Sequence, residues 1–226
     1  ISGRRILDIS RRGKFLLFKL DDGFLLFHLR MSGDLVLEPA EAKIAPHHRL
    51  VFYLAGGRRL AFNDTRKFGR IWLVSDPLLV TGNLGPEPLD PTFKAGQLYD
   101  NLQRSRRQLK PLLMDQSFLA GMGNIYTDEA LHRARLHPLT PSYAVSTGQA
   151  EALYLAIRQT LEEGIQHNGS SIDWVYRGGE FQNYFRVYGR RGQACPVCGT
   201  TIEKISVGQR GTHFCPACQL LKTEGK

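Results

Sequence analysis

Lys110-Pro-Leu-Leu-Met-Asp-Gln-Ser-Phe-Leu-Ala-Gly-Met-Gly-Asn-Ile-Tyr-Thr-Asp-Glu-Ala-Leu131 is the stretch on which the reading of this chain turns. It reads as a helix ending near Asp115, a turn containing Gly121 and Gly123, and a second helix starting at Asn124. Asparagine is a favoured N-cap, and the unpaired N–H groups behind it form a phosphate cradle at the positive end of the helix dipole. Two glycines just ahead of the cap let the backbone approach a phosphate closely. A plain αα-hairpin in a core would use the same residues, so Gly-x-Gly-Asn alone does not separate the two readings.

Working outward toward the C-terminus, Ser146-x-x-Gln149 is a capping box. Leu153, Ile157, Leu161 and Ile165 then recur at four-residue spacing, which predicts a helix ending near Asn168-Gly169. Toward the N-terminus, residues 76–92 carry Pro77, Pro86, Pro88 and Pro91 and read as a linker. Ahead of it the period is that of strands. Arg4–Ile9, Lys14–Leu20, Phe24–Leu29, Leu35–Leu37, Leu50–Leu54, Arg59–Phe62 and Arg70–Val74 are short β-prone runs. Asp22-Gly23, Ser32-Gly33 and Gly56-Gly57 punctuate them as turns. Seven short strands with turns between them predict an antiparallel sandwich or barrel.

The tail beyond Phe185 returns to strand and knuckle. Its Cys195-Pro-Val-Cys198 and Cys215-Pro-Ala-Cys218 pairs, with 16 residues between them, match the spacing of a four-thiolate zinc site. Two disulfides are the alternative, and a reducing cytosol argues against them. Tetrahedral Zn2+ would supply folding energy that a module of about 35 residues cannot draw from its own core. With Cys195, Cys198, Cys215 and Cys218 all thiolates, no position is left for water, so the expected metal is one structural Zn2+.

Charge and composition narrow the classes further. The 226 residues hold 30 Lys+Arg against 21 Asp+Glu, a formal net charge of +9, with 42% hydrophobic residues. Such a chain can bury a core and is not a disordered basic tail. The excess is uneven: +4 over residues 1–90, zero over 91–180 and +5 over 181–226. An anionic partner is implied, nucleic acid being the commonest, with a generally basic enzyme as the alternative. No run of 18 apolar residues is present, which excludes a spanning helix, and Ile1–Ile6 has no apolar signal-like region. The expectation is a cytoplasmic monomer with no membrane partner.

Taken jointly, these blocks are no longer generic. Gly121-Met-Gly-Asn-Ile-Tyr-Thr-Asp-Glu-Ala-Leu131 followed by the four-cysteine finger resembles the formamidopyrimidine-DNA glycosylase family. The likeness extends to Arg11-Arg-Gly-Lys-Phe-Leu-Leu17, His28-Leu-Arg-Met-Ser-Gly33, Asp64-Thr-Arg-Lys-Phe-Gly69, Leu84-Gly-Pro-Glu-Pro-Leu89 and Val187-Tyr-Gly-Arg190, in family order. The resemblance implies an α+β multidomain protein. Residues 1–85 would form an incomplete antiparallel β-sandwich, 86–182 a helix–two-turn–helix domain and 183–226 a zinc-finger β-hairpin. It also implies a bacterial, nucleoid-associated enzyme acting on damaged double-stranded DNA. Such enzymes flip an oxidised purine (formamidopyrimidine or 8-oxoguanine) out of the duplex, excise it, and cut the strand by β,δ-elimination.

By motif position, Met31, Arg66 and Phe68 resemble the family trio that fills the vacated stack, with Phe68 as wedge and Arg66 facing the orphaned cytosine. Lys14 corresponds to the lysine credited with contacting the phosphate and opened sugar and with donating a proton in β-elimination. His47 resembles a DNA-contacting histidine, with His48 the competing register. Asn124 corresponds to a phosphate ligand between the helices. Arg210 matches the finger arginine that binds the phosphate near the lesion and assists δ-elimination. Arg104, Arg106 and Arg107 form a basic run; Arg106 is the candidate phosphate contact, with a solvated face as the alternative.

The chain departs from the family in two places. The family's nucleophile is an N-terminal proline amine followed by a glutamate, and neither heads this sequence. The expectation is a fragment lacking about 40–45 leading residues of the family pattern, unable to excise a base as written. The segment Ser170–Gln182 is about four residues shorter than the family's lesion-covering loop, which would favour formamidopyrimidines over 8-oxoguanine. Three alternatives remain: an endonuclease VIII-like glycosylase for oxidised pyrimidines, which generally lacks the Asp64–Gly69 block; a non-catalytic damaged-DNA-binding protein; and an RNA-binding zinc ribbon.

Overall fold

Alternation of apolar and polar side chains in the first third of the chain, interrupted by Gly-containing turns, produces seven antiparallel strands. They are Ile6–Arg12 (β1), Phe15–Leu20 (β2), Phe24–His28 (β3), Gly33–Pro39 (β4), His48–Leu54 (β5), Arg58–Asp64 (β6) and Arg70–Val74 (β7). The computed structural model describes residues 1–171 and 178–221. The strands form a four-stranded sheet in the order β1-β2-β3-β7 and a three-stranded sheet in the order β4-β6-β5. Phe18, Leu20, Leu25 and Phe27 of the first sheet bury against Phe62 of the second. Phe27 is the centre, with ring centroids 5.1 Å from Phe18, 5.9 Å from Phe52 and 6.2 Å from Phe62. The expected β-sandwich is therefore present.

Several strand boundaries differ from the sequence reading, and those at the first turn bear on a candidate residue. β1 runs later than Arg4–Ile9 because its pairing continues to Arg12↔Phe15, right up to the turn at Gly13. Lys14 consequently sits in that turn and not in a strand. β1 is also exposed along nearly its whole length, Ile6, Leu7 and Ile9 being 42–58% exposed.

Leu78–Thr81 (α1) closes this first unit, which comprises residues 1–82 and 171–179. The second unit comprises residues 83–170 and 180–226. It contains Ala95–Gln103 (α2), Leu109–Leu113 (α3), Asn124–Arg133 (α4), Thr147–Gln166 (α5) and the hairpin Glu203–Val207 (β8) and Arg210–Phe214 (β9). Its helical core is built from leucines at helical spacing, among them Leu98, Leu102, Leu109, Leu113, Leu131 and Leu153. Ser146 and Gln149 form the expected capping box, and the chain leaves α5 through positive φ at Asn168 and Gly169. Beyond α5 the backbone closes a short neck. Ser170 and Glu180 form an antiparallel bridge, the Glu180 N–H donates to the His167 carbonyl (2.8 Å), and the Phe181 N–H donates to the Gly169 carbonyl (2.9 Å). Of the expected lesion-covering loop Ser170–Gln182, residues 172–177, Tyr176 included, lie outside the described residues. Among the described residues no helix is long and apolar enough to cross a membrane.

Candidate nucleic-acid interface

In the first unit, the segments carrying four of the candidate residues gather around one buried residue, Asp64. β6 ends at Asp64, which is fully buried, and the next five residues turn outward and carry Arg66 and Phe68. Asp64 Oδ1 accepts hydrogen bonds from the Ser32 hydroxyl and the Arg66 N–H (3.2 Å); Oδ2 accepts from the Gly69 N–H (2.8 Å). Ser32 follows Met31, and the Asp64 N–H donates to the carbonyl of His47 (2.9 Å). Burial pushes the Asp64 carboxyl up, but these donors outweigh it and hold the group below its ordinary value. Arg66 places its guanidinium carbon 4.8 Å from the centre of the Phe68 ring, a cation–π contact. Phe68 and Met31 are 49% and 54% exposed, so two apolar side chains and a guanidinium face solvent together.

The two histidines of Pro46-His47-His48-Arg49 take opposite positions. The His48 side chain is 5% exposed and lies 3.5 Å from Glu38 Oε1, whereas His47 is exposed. His47 Nδ1 lies 3.4 Å from Arg49 Nη2, and Arg49 also donates to the Asp64 carbonyl (2.7 Å). Lys14 is exposed at its turn. Its charge contributes to lowering the buried His28 to about 4, after burial itself and the nearby Arg30.

In the second unit, Asn124 reaches the β8–β9 hairpin at the residue after Arg210. Gly208 and Gln209 both have positive φ and turn the β8–β9 hairpin, so Arg210 projects from its tip. The carbonyl of Gly211 then accepts from Asn124 Nδ2 and from Lys110 Nζ, each at 3.2 Å. Asn124 is not the N-cap that its residue type suggested. Gly123 takes the extended cap conformation (φ −121°, ψ 176°), and Asn124 is the first helical residue. Its side chain is thereby released from capping and used on the hairpin. Gly121, at φ +94° with open space around it, meets a conformational need, since few L-residues adopt that backbone. Arg106 is exposed ahead of α3, while its neighbour Arg107 is tied to Asp115 at 2.7 Å.

Four further residues that tie the helices to the finger went unnoticed in the sequence. Lys110 is fully buried and pairs with Asp128 at 2.5 Å; burial holds it below the ordinary lysine value despite that carboxylate. The other Asp128 oxygen accepts the His213 N–H of β9 (2.9 Å). Glu129 accepts three backbone N–H groups, from Arg186, Val187 and Tyr188, at 2.8–3.0 Å. His132 brings Nε2 to 3.4 Å from Cys195 Sγ. α4 is thus bonded along its length to the finger. A spacing signal existed, because 128, 129 and 132 share one side of a helix.

The four cysteine sulfurs lie within 4.8 Å of one another, with Cys195–Cys218, Cys198–Cys215 and Cys198–Cys218 at 3.9, 3.5 and 3.4 Å. Tetrahedral Zn2+ with bonds of about 2.3 Å separates its sulfurs by about 3.8 Å, so the set fits. Hydrogen bonds from Thr200 lower Cys198 to about 6, while burial raises Cys215 and Cys218. Cys195, Cys198, Cys215 and Cys218 are the ligands of one structural zinc ion.

Comparison with known proteins bears on every part of the chain. Residues 1–71 match the model of the formamidopyrimidine-DNA glycosylase N-terminal domain, and residues 84–175 that of the H2TH domain of the same enzymes. Residues 192–220 match a zinc finger found in FPG and IleRS. The formamidopyrimidine-DNA glycosylase of Pelotomaculum thermopropionicum is 43% identical over 98% of this chain and 84% of its own length. That of Chloroflexus aurantiacus is 47% identical over 97% and 82%. Among solved structures, Lactococcus lactis Fpg in complex with DNA containing an abasic site superposes with a TM-score of 0.90 at 38% identity, over 97% of this chain and 83% of that one. The MutM (FPG) protein from Thermus thermophilus gives 0.88 at 46% identity, over 96% and 84%.

Proposed function

The chain belongs to the formamidopyrimidine-DNA glycosylase family, and from that premise we propose that its surfaces recognise oxidised purines in duplex DNA for excision and β,δ-elimination. The observation that carries this reading is the exposed Arg66–Phe68 pair, 4.8 Å apart, bonded through the Arg66 N–H to Ser32, the residue after exposed Met31. Extruding a base costs a few kcal/mol of stacking, which a flat ring and a thioether entering the gap recover in part. The Arg66 guanidinium can then donate to the edge of the unpaired cytosine.

The cationic and amide groups hold the backbone on either side. Lys14, His47 and Arg106 meet phosphates from exposed positions. Asn124 and the free N–H groups of the first turn of α4 cradle another. Arg210 is carried on a rigid hairpin tip, where its guanidinium grips the phosphate next to the lesion and favours its departure in δ-elimination. Lys14 supplies a proton to the opened sugar in β-elimination. Zinc supplies cross-linking of the two knuckles; the chemistry at DNA belongs to Arg210. The labour divides over residues 1–85, 86–182 and 183–226.

Fluorescence anisotropy with 8-oxoguanine, abasic-analogue and undamaged duplexes, and with RNA, tests the assignment. Lesion duplex should bind best. With Lys14, Arg106 and Arg210 on phosphates, log affinity should fall against log salt with a slope of about −3, and Arg210→Ala should reduce it by about 0.9. Equal displacement by RNA and undamaged duplex overturns lesion recognition.

A further inference from the structure

We infer that Asp64 is a positioning residue that locks Met31, Arg66 and Phe68 into one preformed wedge before DNA arrives. The inference rests on the reading of those three side chains as the stack-filling group, and deepens it.

Three separate segments converge on this single buried group. Through Ser32 the carboxylate holds the turn bearing Met31; through the N–H groups of Arg66 and Gly69 it holds both ends of the segment bearing Phe68. Through its backbone N–H it holds His47. The bonding closes on itself, since the Arg66 N–H also reaches Ser32 Oγ (3.3 Å). Space enforces it as well. A Cβ on Gly69 would stand 2.3 Å from the Phe62 ring and 3.2 Å from Asp64 Oδ2, and one on Gly33 would stand 2.4 Å from the Leu29 carbonyl.

Both turns store strain beside the wedge. Arg30, next to Met31, has φ +58°, and Lys67, between Arg66 and Phe68, has φ +59°. Non-glycine residues hold the left-handed region only where the surroundings over-determine them. The Arg30 N–H is held by His28 Nδ1 (3.1 Å), and Asp64 bonds the residues on either side of Lys67 and Phe68. An ionised carboxylate is suited to the role because both oxygens accept and neither donates. An amide in its place would turn an NH2 toward an N–H or O–H donor. Ordering the wedge in advance removes an entropy loss from the step in which it enters the helix. Discrimination between lesion and intact duplex should therefore depend on Asp64, although Asp64 itself touches no DNA.

The test uses the full chain and a duplex carrying a tetrahydrofuran abasic analogue with 2-aminopurine beside it. Asp64→Asn and Ser32→Ala should each lower affinity for this duplex about 10-fold or more and reduce the 2-aminopurine rise that reports insertion. Affinity for undamaged duplex and its salt dependence should stay unchanged, because the phosphate contacts remain. Ser32→Thr, which keeps the hydroxyl, should restore both signals. Should Asp64→Asn fail to fold, the Ser32→Ala and Ser32→Thr pair decides the matter alone. A wild-type chain that prefers the lesion, with variants that prefer it equally, overturns the inference and leaves the functional reading standing. A wild-type chain with no lesion preference overturns that reading.

Discussion

His28 shows how one buried side chain ties stability to pH. Burial, then the charges of Arg30 and Lys14, lower it from its ordinary 6.5 to about 4. Below pH 6.5 the unfolded chain takes up a proton that the folded chain refuses until about pH 4. Its contribution to stability is therefore full above 6.5, is lost as pH falls toward 4, and is flat below that. The slope within the window is at most about 1.4 kcal/mol per pH unit for one group. Thermal unfolding midpoints between pH 7 and 4.5 should fall less steeply for His28→Gln than for the parent chain; parallel profiles would refute this. His132 and His137 shift in the same direction, so only the difference between the two chains belongs to His28. Much of the residue-level site was readable from motif blocks: the cysteines and the Asp64–Gly69 run stood out. That His47 is the exposed one of the two histidines needed the structure, because the His48 side chain is buried beside Glu38, ten residues away. Lys110, Asp128 and Glu129 were illegible for the same reason: their partners lie 18 to 101 residues distant in sequence.

At the scale of elements, α4 and α5 approach closely because Gly164 faces Tyr126. A Cβ there would stand 2.5 Å from the ring, and the ring cannot retreat freely because it stacks on Phe181 at 5.4 Å. Gly164→Ala would gain up to about 1 kcal/mol of helix propensity. Overpacking of about 1–3 kcal/mol should exceed that gain, so net destabilisation is expected in urea unfolding; a stabilised variant would show that the helices separate cheaply. Elements were largely legible because periodicity and capping are local. The Ser146–Gln149 box and all seven strands came from short windows. The start of α4 was read one residue late at its cap, since the asparagine prior ignores what a competing partner offers; the Gly211 carbonyl draws that side chain away. Ile165 continues the apolar spacing of α5 yet is 66% exposed, because the core has already ended there.

At the scale of the molecule, the finger has almost no core of its own. Its buried cluster is Val187, Cys195, Ile202 and Cys215, so two of its four members are metal ligands. Zinc removal by a chelator at neutral pH should therefore strip hydrogen-exchange protection from β8 and β9 while the leucine core of the helices keeps most of its own. Simultaneous loss in both regions would show that the finger and helices unfold as one. The neck at Ser170 and Glu180 has an evolutionary consequence. A segment that leaves and re-enters through its own paired stems behaves as a cassette: it can be lengthened, trimmed or exchanged while the path of α5 stays as it is. Selection can then change the length of sequence between the stems without rebuilding the bonds that close them.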